Sequence, residues 1–454
     1  MTASRWSGPV AFIAVTGGAV VGLGNLWSLP QFVLSQGGGA FLLVYLIGLV
    51  LGALPILLAE MALGRRGGGA PPRALQAAAT NLRAARLWGA AGWLAVVAAT
   101  IVLAYFSVVA GWLLAYLARA LGGALVNVTP QGAVSIFSAL VTDPERSLAW
   151  HTLATLGVVA VAARPLRVGL QPVAGCSLVL LLLALLALTL HAARGDGFMQ
   201  FAGELFTADF SRLSLFGVWN AARLSFFSLM AGLGVATVLA AYLPPASSLP
   251  RLALGVVAID VIATLLALLA LTPPILEAGL VPDGGSRLVF ERALVALSAL
   301  PDAHMMTTLL FVTACLIALG SMLGLAEVLV ASITSVSGSS RRRAAAIAGT
   351  IWWLLGVAAL LSFNLWSEQR ILGQRVYELL EFMSSHLLMP ISALLILLHG
   401  AWVLGRTPEA ATVGMGRLGF TCWRATARYL APLLAGLVLL ISSGLVAEVE
   451  RLLL

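Results

Sequence analysis

The chain has 454 residues, of which 61% are hydrophobic and 10% are charged, and its mean hydropathy is +1.02. Soluble globular proteins carry about 25% charged residues, so this composition excludes a soluble enzyme or binding module and predicts a polytopic membrane protein. The net charge is +8, but all 26 basic residues are arginines spread over many loops, which argues against a nucleic-acid partner. The three cysteines form neither a disulfide framework nor a metal-binding spacing.

Eleven apolar segments are predicted to cross the membrane as helices, since a span needs about 20 apolar residues. In chain order they cover residues 9–33, 40–63, 87–121, 148–163, 169–192, 215–243, 250–275, 304–335, 343–363, 377–404 and 428–448. Most arginines fall in the loops that lie on the same side as the N-terminus. The positive-inside rule therefore predicts a cytoplasmic N-terminus and an external C-terminus for a multi-pass protein of the cell's inner (plasma) membrane.

Glycines interrupt two of these spans at matching positions. Span 1 contains VVGLGN at residues 20–25, and span 6 contains MAGLGV at residues 230–235. One interpretation is close helix packing through small residues. The other is that both helices unwind at mid-membrane, where freed carbonyls bind a cation and a half-helix end binds a carboxylate. Interruptions five spans apart are typical of an inverted-repeat transporter.

Few acidic residues lie inside the spans. Asp260 lies deep in span 7 and is predicted to have a functional role, because an intramembrane acid is costly unless it is used. Glu60 and Glu327 are predicted to have structural roles, satisfied by neighbouring groups. For Glu381 two interpretations stay open, a vestibule residue or a carboxylate that is simply hydrated.

Two hydroxyl groups, those of Ser228 and Ser321, lie within spans 6 and 8. Such hydroxyls usually bond to their own helix, so taken alone each is predicted to be structural. The sequence contains no nucleophile–base pair and no metal-ligand spacing, which argues against an enzyme. The spans also offer too few polar residues for the continuous polar path of a channel.

Several motifs together resemble one known family. They are GLGNLWSLP at 22–30, GGGAF at 37–41, EMALGR at 60–65, FFSLMAGLG at 226–234, DVIATLLALLALTP at 260–273 and LLEFMSSHLLMP at 379–390. This set resembles the neurotransmitter:sodium symporter family, and in detail its bacterial, leucine-transporter-like amino-acid transporters. The resemblance extends over nearly the whole chain, which is identified as a divergent member.

The resemblance implies an all-α polytopic fold of the leucine-transporter type. Two inverted repeats of five helices would be followed by one extra helix, all within a single transmembrane domain over residues 1–454. The first repeat would cover about 9–192, the second about 215–404, and the extra helix about 428–448. Spans 1 and 6 would be unwound at mid-membrane.

The resemblance also implies sodium-coupled symport of a small, hydrophobic amino acid by alternating access. Glycine at position 22 leaves room for a substrate carboxylate, which would meet the amides of Leu23 and Gly24. The residues implied in substrate binding are Val20, Gly22, Leu23, Gly24, Val102, Phe106, Val109, Phe227, Ser228, Met230, Leu233, Ser321 and Leu325.

Two sodium sites are implied by the same resemblance, and oxygen ligands suit such a hard cation. The first site would use Val20, Asn25, Ser228, Asp260 and the substrate carboxylate. The second would use Gly18, Val21, Ile317, Gly320 and Ser321. The residues implied in gates at the two ends are Arg5, Ser28, Tyr242 and Glu381.

Four positions depart from the family pattern. Ser28 replaces an outer-gate arginine, so Glu381 is expected to lack its charge partner. Phe106 replaces a tyrosine that would bond the substrate, and the neighbouring Tyr105 is expected to point elsewhere on its helix. The other two departures are Gly320 in place of a sodium-binding threonine and Ser335 in place of an inner-gate aspartate.

These departures keep two alternatives open, a family member that binds an amino acid or related solute as a sensor or regulator, and transport driven by protons. Sodium is the only cofactor implied, with no organic cofactor. Chloride dependence is not expected, because Leu224 stands where the family's chloride site has a glutamine. The expected partners are the amino-acid substrate and membrane lipid, and the oligomeric state stays open.

Overall fold

A computed structural model describes residues 5–77, 79, 81–282, 284–403 and 416–442. Within these ranges the chain is helical, and backbone pairing of the β type is confined to two isolated bridges. Residue 404 of the predicted tenth span and residues 443–448 of the predicted eleventh lie outside the described residues.

The helices follow one another with short connections. In chain order they are α1 (Pro9–Val20), α2 (Leu23–Trp27), α3 (Leu29–Ser35), α4 (Gly39–Gly67), α5 (Pro71–Gln76), α6 (Leu82–Leu121), α7 (Pro130–Val141), α8 (Pro144–Ala162), α9 (Leu170–Ala192), α10 (Gly197–Phe206), α11 (Leu215–Ser228), α12 (Val235–Ala240), α13 (Leu249–Glu277), α14 (288–298), α15 (Ala303–Ser337), α16 (Arg341–Leu361), α17 (Val376–Trp402) and α18 (Leu418–Ser442).

Eight helices in the described part of the chain are long and apolar enough to cross a membrane. They are α4, α6, α9, α13, α15, α16, α17 and α18. They coincide with predicted spans 2, 3, 5, 7, 8, 9, 10 and 11, and α8 occupies the position of span 4. Spans 1 and 6 are each divided into shorter helices, so the total of eleven crossings remains a prediction.

The two divided segments change backbone conformation where the glycines occur. Between α1 and α2, Val21 and Gly22 are extended, with ψ angles of 102° and 158°. Between α11 and α12, Gly232 and Gly234 have φ angles of 93° and 74°, in the left-handed region that glycine adopts without a Cβ clash. Met230 also has a positive φ, 49°, which is strained for a residue with a side chain.

Packing brings both interruptions to the centre of the helix bundle. Helix α1 packs against α9, α13 and α15, while α11 and α12 both pack against α4. The contact between α4 and α12 is close because a Cβ on Gly64 would overlap the carbonyl of Thr237. The fold therefore surrounds two non-helical stretches with helices, where their backbone groups meet a cavity rather than lipid.

Candidate substrate and cation site

A cavity of about 160 Å³ lies beside both interruptions. Its wall comes from α2, α6, α11, the 229–234 segment and α17. The lining residues are Gly22, Leu23, Gly24, Asn25, Trp27, Ser28, Val102, Tyr105, Phe106, Val109, Arg223, Leu224, Phe227, Ser228, Met230, Leu233, Tyr377, Glu381, Ser385, His386 and Met389.

Most residues that the sequence predicts in substrate binding line this cavity. Those that do are Gly22, Leu23, Gly24, Val102, Phe106, Val109, Phe227, Ser228, Met230 and Leu233. Val20, Ser321 and Leu325 are buried outside its lining. Ser321 instead lies behind α1, among the residues predicted to bind the second sodium ion.

The glycines of span 1 serve two different purposes. A Cβ on Gly17 would lie 2.9 Å from the Cδ1 atom of Ile259, so this glycine is needed for close packing of α1 on α13. A Cβ on Gly22 would meet nothing nearer than 3.8 Å, and one on Gly24 would meet nothing within 4 Å. Close packing therefore does not account for Gly22 and Gly24, which lie at the interruption and line the cavity.

Asp260 lies at the centre of a buried network of polar side chains. Its Oδ2 accepts a hydrogen bond from the Ser228 hydroxyl at 2.6 Å, and its Oδ1 accepts one from Nδ2 of Asn25 at 3.0 Å. The Tyr45 hydroxyl donates to Ser228 at 2.7 Å, and Asn25 also contacts Thr264 at 2.9 Å. Four helices thus place oxygen-bearing side chains around one buried carboxylate, next to the cavity.

This network contains the side chains predicted for the first sodium site, Asn25, Ser228 and Asp260. The hydroxyl of Ser228 bonds to other helices rather than to its own, contrary to the default for a membrane serine. Val20, the predicted carbonyl ligand, ends α1, where the last carbonyls have no helical partner. The donor set of carboxylate, amide, hydroxyl and carbonyl oxygens fits a hard monovalent cation.

The second predicted cation site lies where α1 meets α15. The Ser321 hydroxyl donates to the carbonyl oxygens of Ala19 and Val21, each at 3.2 Å. Gly320 and Ile317 are buried on the same helix. A Cβ on Gly320 would overlap the carbonyl oxygen of Gly18, so the missing side chain lets α15 lie directly against α1.

Replacement of Gly320 by alanine is therefore expected to separate α1 from α15. We expect the melting temperature to fall. We also expect sodium to stabilise the variant much less than it stabilises the unmodified protein, because the Ser321 hydroxyl moves away from the carbonyls of Ala19 and Val21. Overpacking of this kind typically costs about 1–3 kcal/mol. Melting curves in sodium and in potassium measure both effects. Gly157→Ala is the control, since a Cβ there meets nothing within 4 Å; equal behaviour of the two variants would contradict the prediction.

Glu60 supports the second interruption. Its Oε1 accepts hydrogen bonds from the backbone N–H groups of Gly232 at 2.8 Å and Gly234 at 3.4 Å. The carboxylate is buried, with 1% of the residue exposed. Glu60 thus supplies the acceptor that the unwound backbone before α12 cannot find within its own helix.

The end of the bundle where α1 begins is sealed. Trp6 is buried and donates from Nε1 to the carbonyl of Leu239 at 2.9 Å. Glu327 accepts from the Tyr242 hydroxyl at 3.0 Å and from Nη1 of Arg341 at 2.8 Å, within a bidentate ion pair. The predicted structural role of Glu327 agrees with these contacts.

The other predicted inner-gate positions have different contacts. Arg5 is exposed, and its described contact is a backbone carbonyl that accepts from Arg167 at 2.7 Å. The carbonyl of Ser335 accepts from Arg73. Tyr242 therefore takes part in the seal with Glu327 and Arg341, and the Arg5 side chain contributes no described contact to it.

At the opposite end, Ser28 and Glu381 line the cavity mouth. One expectation about this end is wrong. Tyr105 does not point elsewhere: it lines the cavity, with its hydroxyl 3.4 Å from the Ser385 hydroxyl. Glu381 makes no ion pair within 4 Å in the described part of the chain, although Arg223 lines the same cavity.

Several lining residues were missed by sequence reasoning. They are Trp27, Tyr105, Arg223, Leu224, Tyr377, Ser385, His386 and Met389, as substrate-cavity residues. One signal was present for Arg223, an arginine within an apolar span, which is costly unless it faces a polar space. The others belong to α2, α6, α11 and α17, and only the packing of these helices shows which faces meet.

Comparison with known proteins agrees with this arrangement. A family model described as the sodium:neurotransmitter symporter family matches residues 3–130 and 172–449. The chain is 28% identical over 447 residues to YhdH, an uncharacterized sodium-dependent transporter of Bacillus subtilis, covering 98% of each chain. It is also 28% identical over 428 residues to MJ1319, an uncharacterized sodium-dependent transporter of Methanocaldococcus jannaschii, covering 89% of this chain and 83% of that protein.

A solved structure, that of MhsT in complex with L-phenylalanine, superposes with a TM-score of 0.85 and 28% sequence identity, covering 97% of this chain and 99% of that one. This match confirms the all-α fold of the leucine-transporter type that the motifs predicted. The chain therefore belongs to the sodium:neurotransmitter symporter family, whose members are membrane transporters rather than enzymes.

Proposed function

We propose that this protein is a sodium-coupled symporter of an α-amino acid with a hydrophobic side chain. The observation that carries the proposal is the cavity lining, which combines the backbone at Leu23 and Gly24 and the side chains of Asn25 and Ser228 with several apolar side chains. A zwitterionic head with a hydrophobic side chain requires a polar end and an apolar end, and lining groups of both kinds are present.

The polar end is proposed to hold the substrate carboxylate. Leu23 and Gly24 begin α2, so their amides lack helical acceptors, and both residues line the cavity. Gly22 adds no side chain to compete for this space. A carboxylate here would lie beside Asn25 and Ser228, where a sodium ion could bind substrate and protein oxygens together.

The apolar end is proposed to hold the side chain. It comprises Val102, Phe106, Val109, Phe227 and Leu233. The cavity volume of about 160 Å³ is close to the roughly 150 Å³ of an engineered cavity that accepts benzene. A relative of the same fold bound to L-phenylalanine supports a substrate of this size class.

Coupling is proposed to arise because the cation completes the substrate site. Sodium bound between Asp260 and a substrate carboxylate would offset the repulsion between two buried negative charges. A second ion between α1 and α15 would hold the first interruption in place. The two proposed repeats, about 9–192 and 215–404, would then move relative to each other as the sealed end opens.

Asp260 is also proposed to replace bound chloride. A fixed carboxylate within the cation network supplies negative charge without an anion, and Leu224 on the cavity wall offers no hydrogen bond to one. This protein should therefore be indifferent to replacement of chloride by gluconate.

The proposal is tested by the melting temperature of the purified protein with L-leucine, L-phenylalanine, glycine and L-glutamate, each in sodium and in potassium. A ligand that binds only the folded state at 100 times its Kd stabilises it by about 2.7 kcal/mol. We expect L-leucine or L-phenylalanine to raise the melting temperature in sodium alone. A rise without sodium would favour proton coupling, and no rise with any amino acid would overturn the proposed substrate class.

Uptake into proteoliposomes then separates transport from sensing. Accumulation of the stabilising amino acid against its gradient, driven by sodium, is expected for a symporter. Sodium-dependent binding without accumulation would favour the sensor, whose sealed end at Glu327 and Arg341 would stay closed.

A further inference from the structure

The mouth of the cavity carries two opposite charges that the proposed binding of substrate and sodium does not use. Arg223 lies on α11 and Glu381 lies on α17. Among the residues that the structure describes, these are the only arginine and the only carboxylate that line the cavity. Each lies one helical turn from another lining residue, Phe227 and Ser385 respectively, so both face the same space.

Arg223 has only weak partners in its present position. Its guanidinium donates to the Asn220 side-chain oxygen at 3.3 Å and lies 5.8 Å from the centre of the Phe227 ring. Neither it nor Glu381 makes an ion pair within 4 Å in the described part of the chain. A neutral amide and a ring face are weaker partners for a guanidinium than a carboxylate is.

The surroundings show which end of the cavity is accessible. Trp6, Tyr242, Glu327 and Arg341 seal the end where α1 begins, and Trp6 is 2% exposed. Glu381, at the opposite end, is exposed. Arg223 and Glu381 therefore both line the open route to the cavity without forming an ion pair within 4 Å among the described residues.

We propose that Arg223 and Glu381 form the ion pair that closes this mouth over a bound substrate, a role that rests on the proposed transport function. Attraction between the two charges strengthens as they approach and as the substrate displaces water from between them. The Phe227 ring connects substrate binding with the approach of the two charges, because it lines the cavity and also contacts the Arg223 guanidinium through its face. Arg223 is thus a positioning residue, since it acts on closure rather than on the substrate.

Charge reversal tests the pair. Arg223→Glu and Glu381→Arg are each expected to slow sodium-driven uptake of L-phenylalanine by about tenfold or more, since like charges then face each other. The double variant restores opposite charges in swapped positions and is expected to recover uptake to within about threefold of the unmodified protein. Recovery in the double variant cannot arise from two independent structural defects.

A second readout does not depend on transport. For this readout the three native cysteines are replaced and one cysteine is introduced by Ser28→Cys. The rate at which a charged thiol reagent labels this cysteine reports access to the mouth. Both single reversals are expected to raise this rate in sodium, and the double variant to lower it again. Melting curves of each variant exclude unfolding as the cause, and Arg223→Gln provides a milder variant if a reversal does not fold.

Two results would overturn the proposal. One is a double variant that is no better than the single variants in either readout. The other is an Arg223→Gln variant that matches the unmodified protein in both uptake and labelling rate, which would show that closure does not depend on the charge of Arg223. If the unmodified protein binds and transports no amino acid, the proposed function fails, and the labelling rates alone still decide whether the two charges meet.

Discussion

Replacement of Asp260 by alanine is expected to abolish sodium-dependent binding of the substrate. The carboxylate is fully buried and accepts hydrogen bonds from Asn25 and Ser228, which are the other side chains of the proposed first cation site. Unit charges 4 Å apart interact with about 4 kcal/mol at an effective dielectric constant of 20, which corresponds to roughly a thousandfold in affinity. Sodium titrations of thermal stability with L-phenylalanine present measure this loss.

Asp260→Asn separates the charge from the shape of the site. The asparagine keeps one oxygen toward Asn25 and the volume of the side chain, so the fold should be retained while sodium affinity still falls by two to three orders of magnitude on the same estimate. If Asp260 also replaces chloride, binding to this variant should become sensitive to chloride, whereas binding to the unmodified protein is not. Unchanged sodium affinity in both variants would contradict the cation-site assignment.

A matched control is available on the surface. Glu378 is an exposed carboxylate in the first turn of α17, and Glu378→Gln removes one negative charge without touching the Asp260 network. Its effect on sodium affinity should be small, because exposed charges are screened by water and salt. A comparable loss in this variant would show that overall charge, rather than the buried network, governs sodium binding.

The position of the cavity could be predicted from the sequence because glycines mark the places where the helical backbone is interrupted. Gly22 and Gly24 interrupt one apolar span, Gly232 and Gly234 interrupt another, and interruptions in a membrane helix must meet a cavity or a ligand. The resemblance to the family then indicates which side chains surround these interruptions. Residues on the same segments as the glycines, such as Leu23 and Met230, line the cavity.

The charges at the two ends could not be located in the same way. A charge that faces a vestibule can be supplied from any helix around it, so the absence of an arginine at Ser28 said nothing about Arg223 on α11. Likewise Ser335 at the sealed end gave no indication that Glu327 and Arg341 pair there. Which side chains face each other depends on how the helices pack against one another, and a single sequence does not specify that packing.

Tyr105 illustrates the same limit within one helix. Neighbouring residues on a helix differ in direction by about 100°, which predicts that Tyr105 and Phe106 cannot both face one site. Both nevertheless line the cavity, because its wall extends from α6 round to Ser385 on α17. The breadth of the cavity, rather than the helical period, decides which side chains reach it.

Replacement of Glu60 by alanine is expected to destabilise the protein by about 3 kcal/mol or more, because two buried backbone N–H groups lose a charged acceptor. The acceptor Oε1 lies 2.8 Å from the nitrogen of Gly232 and 3.4 Å from that of Gly234, and both hydrogen bonds are buried. Transport should be lost together with stability, since the same segment carries Met230 and Leu233 into the cavity. Thermal unfolding and sodium-driven uptake provide the two measurements.

Glu277→Ala is the matched control for Glu60. Glu277 also accepts a hydrogen bond from a glycine N–H, that of Gly197 at 2.8 Å, but this contact is exposed to solvent. Water can replace the lost acceptor there, so the expected cost is about 1 kcal/mol or less. A large difference between the two variants would show that burial, and not the hydrogen bond alone, makes Glu60 necessary for the interrupted helix. Equal and small losses would mean that the backbone between α11 and α12 holds its conformation without Glu60, through the left-handed glycines and the packing of α12 on α4.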